Sequence, residues 1–176
     1  MSFRPLKSCL LVAASAAFAV THAGWSLAAE GEWHAGGRAG AAFMSGTGAE
    51  PALGLHGAYE LGDMFDAKLE LLGAHHVGDK GTDVLSATAG LAYKIDVFEW
   101  IPYAALLAGY YNYAGQRGPH GEAGSEFGAA IQLGLDYLPA RDFAVGAEVR
   151  FHTSFDDGLK WPFISATLGA EYRWGW

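Results

Sequence analysis

The chain has 176 residues, 51% of them hydrophobic and 17% charged, with 25 glycines and a formal charge of −8. That length supports one domain with its own core. A net acidic chain without a basic cluster argues against nucleic acid as a partner, and a single cysteine, Cys9, rules out a disulfide framework.

Residues 1–28 read as a secretory signal. Arg4 and Lys7 form a basic start, Leu10 to Val20 an apolar centre, and small residues offer cleavage after Ala23 or Ala28. Losing this segment would remove Cys9 and take the formal charge from −8 to −10. The apolar centre falls short of the about 20 residues a membrane-spanning helix needs. The longest later apolar run, Trp100 to Tyr111, is also too short and carries Pro102 near its start. Residues 29–176 are then left as one domain.

Eight strands are expected in that domain, at 33–43, 52–61, 65–76, 83–95, 98–112, 126–138, 143–153 and 162–174. Each alternates in side-chain character, and a strand sends successive side chains to opposite faces. The first opposes Trp33 and Phe43 to His34 and Arg38; a loop from Met44 to Pro51 follows. The second opposes Leu53, Leu55 and Tyr59 to His56 and Glu60, then turns tightly over Gly62–Met64. The third opposes Leu69 and Leu71 to Asp66, Lys68 and Glu70, and ends at His75-His76. Neighbouring strand residues point apart, so this histidine pair reads as a strand end and not as a chelate. The fourth opposes Leu85, Leu91 and Tyr93 to Lys94 and turns over Asp96–Val97.

Past Glu99 at its start the fifth strand carries no charge, and Ile101, Tyr103, Leu107 and Tyr111 are assigned to its outward face. The loop Tyr113–Ser125 is too rich in glycine to hold shape unaided. The sixth strand opposes Phe127, Ile131, Leu133, Leu135 and Tyr137 to Gln132 and Asp136, and Pro139–Asp142 forms a short turn. The seventh opposes Phe143, Val145, Val149 and Phe151 to Glu148, Arg150 and His152. In the loop Ser154–Trp161, Asp156-Asp157-Gly158 is ordinary turn chemistry and lacks the spaced ligands of a calcium loop. The eighth strand alternates strictly: Ile164, Ala166, Leu168, Ala170, Tyr172, Trp174 and Trp176 against Ser165, Thr167, Gly169, Glu171 and Arg173.

Near mid-strand, the charges all fall on one face. Turning Arg or Lys toward lipid at the bilayer midplane would cost about 2–4 kcal/mol each, so the charged face belongs inside a barrel whose apolar face meets the membrane. An open sheet would leave unpaired backbone groups in lipid, and closure removes them. The expected interior ion-pair network comprises Arg38, Glu60, Lys68, Glu70, Asp136, Glu148, Arg150, Glu171 and Arg173, near charge balance with Asp66 and Lys94. An eight-stranded barrel is just wide enough for side chains to fill, so a plugged polar core is expected. Short turns after even strands and longer loops after odd ones match periplasmic and outer ends.

Two segments carry a family resemblance. Gly134 to Phe151 resembles the hairpin of small outer-membrane barrels, strand, short proline-containing turn and strand; Leu168 to Trp176 resembles their C-terminal assembly signal. The mature chain as a whole resembles the OmpA/OmpX/OmpW-like eight-stranded barrels of Gram-negative bacteria. That family usually ends in Phe, and Trp176 keeps the aromatic type. The resemblance implies an all-β, antiparallel up-and-down transmembrane barrel in the cell outer membrane. It implies insertion by the barrel-assembly machinery reading Tyr172, Trp174 and Trp176. The expected partners are outer-membrane lipid and lipopolysaccharide, with a monomeric state, no cofactor and no enzymatic activity. The role expected is structural or surface interaction through the outer loops. One alternative is a narrow pore for ions or small solutes. The other is a lipid A-modifying enzyme using His152 and Ser154, a His-x-Ser pair that shares one strand face.

Overall fold

The computed structural model describes residues 31–44, 48–76, 82–95, 98–115, 124–155 and 163–175. The expected signal segment with Cys9, the turn Asp156-Asp157-Gly158 and Trp176 lie outside them.

Eight antiparallel strands make one closed barrel in sequence order. They are β1 (Trp33–Met44), β2 (Gly48–Gly62), β3 (Phe65–Ala74), β4 (Thr82–Lys94), β5 (Trp100–Gly115), β6 (Gly124–Ala140), β7 (Phe143–Ser154) and β8 (Phe163–Trp174). Closure is made by β1 on β8, from Trp33 opposite Trp174 to Phe43 opposite Ile164. No edge is left to expose ladder groups. Among the described residues no helix is long and apolar enough to cross a membrane.

Alternation decides which face turns inward. In β8, Leu168 and Tyr172 are exposed while Ser165, Thr167, Glu171 and Arg173 are buried. In β3, Asp66, Lys68 and Glu70 are buried between exposed Phe65, Leu69 and Leu71. The outer wall is apolar and ends in aromatic pairs at the turn end: Trp33 with Tyr59 at 4.7 Å, Trp100 with Tyr137 at 4.8 Å, Phe65 with Tyr93 at 5.4 Å. This is the girdle expected where strands meet headgroups.

The fifth strand departs from the expected facing. Ile101, Tyr103, Leu107 and Tyr111 point inward and are buried, and Leu106 and Tyr110 are exposed instead. Neighbours across a ladder share a face, and Tyr103 stands opposite Lys94, whose ammonium must be inside. Tyr103 also lies opposite Gly134. A Cβ built on Gly134 would fall 2.2 Å from the Tyr103 ring, so the glycine is what lets this ring lie flat against the wall.

Several loops are shorter than expected. Pro51 sits inside β2, its carbonyl accepting from His75 N–H at 3.1 Å, and β2 starts at Gly48. Cross-strand pairing carries β5 and β6 past the assigned loop edges, with Tyr113 opposite Gly124. These two strands are the longest, at 16 and 17 residues, against the about 9–11 residues that span the hydrocarbon.

Inside, the barrel is layered. The loop end holds an apolar plug of Ala42, Ala52, Leu72, Ala74, Val84, Tyr111, Tyr113 and Phe163. Charged side chains occupy the middle and the turn end, and two more, buried Glu50 and Glu126, lie at the loop end opposite the plug residues Ala42 and Tyr111.

Candidate functional site: the interior network

Glu148 on β7 is the centre of the interior. Arg38 from β1 reaches it at 3.1 Å and Arg150 at 2.5 Å. The Tyr103 hydroxyl from β5 and the Thr167 hydroxyl from β8 each donate to it at 3.0 Å, and the Gln132 amide from β6 donates as well. Five strands thus converge on one carboxylate. Glu70 on β3 forms a second hub, taking Lys68 at 3.2 Å, Gln132 at 3.2 Å and Arg150. Lys68 also stands over the Tyr103 ring at 4.5 Å. Arg150 Nε is buried without a hydrogen-bond partner among the described residues.

Arg38 Nε donates to His56 Nδ1 at 3.3 Å, linking this cluster to a third. There Glu171 holds His56 at 2.9 Å and Arg173 at 2.7 Å. At the turn end, Glu32 meets His34 at 3.1 Å and Arg173 at 3.9 Å. Just outside the strands, burial holds the Glu32 carboxyl above its ordinary value, with Arg173 opposing the rise. Such pairs compensate the desolvation of each charge only because they hydrogen-bond on several sides.

The structure therefore brings Arg38, Lys68, Glu70, Glu148, Arg150, Glu171 and Arg173 into one connected set. Glu60 stands apart, pairing with Lys94 at 2.7 Å, and Lys94 also holds Asp66 at 2.9 Å. The Asp136 side chain makes no hydrogen bond or ion pair among the described residues. It faces a polar void of about 20 Å³ lined by Asp66, Lys68, Tyr103 and Arg173 among others, room for one water. Sequence reasoning did not include Glu32, Gln132, Tyr103 or Thr167 in the network. Carrying the alternation of His34 back two residues reaches Glu32, whereas Tyr103 lies on a strand with no charge to mark its inner face.

His152 is fully buried and faces the lumen. It bonds the Tyr111 hydroxyl at 3.2 Å and Ser165 Oγ at 3.0 Å, and stacks on Phe163 at 4.0 Å. Ser154 is buried on the same face, but the serine at bonding distance is Ser165. The histidine pair at the end of β3 separates: exposed His75 meets Asp83 at 2.8 Å, and His76 meets buried Glu50 at 2.5 Å. Among the described residues no group of three or more His, Cys, Asp or Glu side chains is arranged to hold a metal ion.

With closed topology and interior in place, the comparisons fall into line. Residues 8–173 match the family described as outer membrane protein beta-barrel domain. The chain belongs to that family. Its barrel is similar to Neisserial surface protein A, with a TM-score of 0.61 at 15% identity over 84% of this chain and 98% of that one. It is similar to Ail, the attachment invasion locus protein of Yersinia pestis, with a TM-score of 0.56 at 19% identity over 82% and 97%. The outer membrane enzyme PagL also matches, with a TM-score of 0.52 at 14% identity over 78% and 97%. At such identities the likeness is one of fold. No curated protein sequence matches the chain. This is an outer-membrane β-barrel protein, with the small eight-stranded architecture of these neighbours.

Proposed function

We propose that this barrel serves a structural and surface-interaction role, its interior acting as a rigid support and its loop end as the working surface. The observation that carries the reading is the filled lumen: one connected polar network below an apolar plug. Buried side chains of this kind hold the wall and leave no wide path through it. β5 and β6 are the longest of the described strands, and the segment that joins them is the element we assign to meeting another surface. Lipid and lipopolysaccharide surround the wall, and the barrel-assembly machinery reads Tyr172, Trp174 and Trp176 during insertion. The barrel works as a monomer.

The same filling weighs against a pore. It weighs against lipid modification too, since His152, Ser154 and Ser165 all lie on the luminal side of the wall. Lipid A incubated with the folded protein should remain unmodified, by mass spectrometry.

The test of the surface role replaces residues 116–123 with a Gly-Ser linker in an expressing strain. Barrel insertion should be unchanged, by heat-modifiable migration on gels. Adhesion of cells to abiotic and protein-coated surfaces should exceed that of cells lacking the chain, and should be lost with the linker. Adhesion equal in all three strains would overturn the proposal.

A further inference from the structure

The turn end of the barrel is uneven around its rim. On the side formed by β2 to β5, Leu61 at the end of β2 and Met64, Ile95 and Phe98 just outside the strands are all exposed. Met64 directly precedes the girdle residue Phe65 and Phe98 stands two residues before Trp100, so exposed apolar side chains continue past the strand ends on this side. On the opposite side, the turn between β6 and β7 presents exposed Pro139, Ala140 and Arg141. Backbone bonds lock the apolar turns to the wall: Lys94 N–H donates to Met64 C=O at 2.9 Å, and Ile95 N–H to Pro102 C=O at 3.0 Å.

Phe98 is the telling residue. It is 92% exposed and holds φ at 59°, a left-handed conformation that bulky residues rarely adopt. Glycine would sit there without strain. The position instead holds a phenyl ring out from the turn, with no protein surface over it. Exposed carboxylates of Asp63 and Glu99 flank the patch.

We propose that this edge docks into the interfacial zone of the phospholipid leaflet at the turn end, so that the barrel sits tilted with its β2–β5 side deeper. The partner is a lipid surface: the patch is continuous with the lipid-facing wall and, among the described residues, carries no buried polar group for a protein to read. Aromatic rings favour this zone because one layer satisfies both their apolar faces and the adjacent polar groups.

The test places one cysteine at a time in a Cys9→Ser background: Phe98→Cys, Met64→Cys and, on the opposite side, Ala140→Cys. Each protein is purified from outer membranes, labelled with an environment-sensitive fluorophore, and reconstituted into phosphatidylethanolamine–phosphatidylglycerol vesicles. Heat-modifiable migration confirms that each is folded. Lipids brominated near the headgroup should quench the probes at 98 and 64 at least twofold more than the probe at 140, with blue-shifted emission. Equal, water-like emission at all three sites would overturn the proposal. So would equal quenching at all three, which removes the tilt. Blue-shifted emission at 98 without bromine quenching would also overturn it, because a second copy or another protein would then cover the edge.

Discussion

Glu148 carries the interior more than any other side chain, since two arginines, two hydroxyls and an amide all end on it. Truncating it strands buried cations, and removing one partner of such a set costs about 3–5 kcal/mol. Glu148→Ala should therefore lower the unfolding free energy by about that amount in urea titrations of the barrel in lipid. Tyr103→Phe removes a single hydrogen bond to a charged acceptor and should cost about 1.5–3 kcal/mol. Gly134→Ala should cost at least as much, because its methyl displaces the ring that makes this bond. Phe98→Gly should act in the opposite direction in detergent. It relieves a strained φ, a saving of about 1 kcal/mol, read by the same titration.

Among the strands, seven declared their facing in the sequence and one did not. The reason is physical. Arg38, Glu60, Lys68, Lys94, Asp136, Glu148 and Glu171 cannot meet lipid, so a single such residue orients its whole strand. β5 runs Trp100-Ile-Pro-Tyr-Ala-Ala-Leu-Leu-Ala-Gly-Tyr-Tyr111 with two apolar faces, and alternation alone leaves both open. The information lay in the neighbour: pairing with β4 puts Tyr103 opposite Lys94, but register is a property of the folded hairpin. Pro51 misplaced the start of β2 for a related reason, since a proline reads as a loop until its ladder position is known. The facing of β5 has a direct check. Leu106→Cys should react with a lipid-soluble maleimide in the folded barrel, while Leu107→Cys should react only after unfolding; the reverse order would restore the outward assignment of Leu107.

Across the whole molecule, the barrel class and its membrane setting were legible because lipid imposes a severe rule on which side chains face out. The layering was not. Alternation tells which face a residue takes, and nothing about what stands beside it at the same depth. The plug of Leu72, Val84, Tyr111, Tyr113 and Phe163 draws on strands far apart in sequence. It appears only when closure sets them in one ring. That ring, above a network joining Arg38, Glu148 and Glu171, is the filling on which the proposed supporting role rests. The most direct measurement is conductance of the protein in planar bilayers, with folding verified by heat-modifiable migration of the same sample. The proposed supporting role predicts no current steps from the wild-type barrel. Reproducible unitary steps from verified folded protein would contradict it and make the charged interior an ion path.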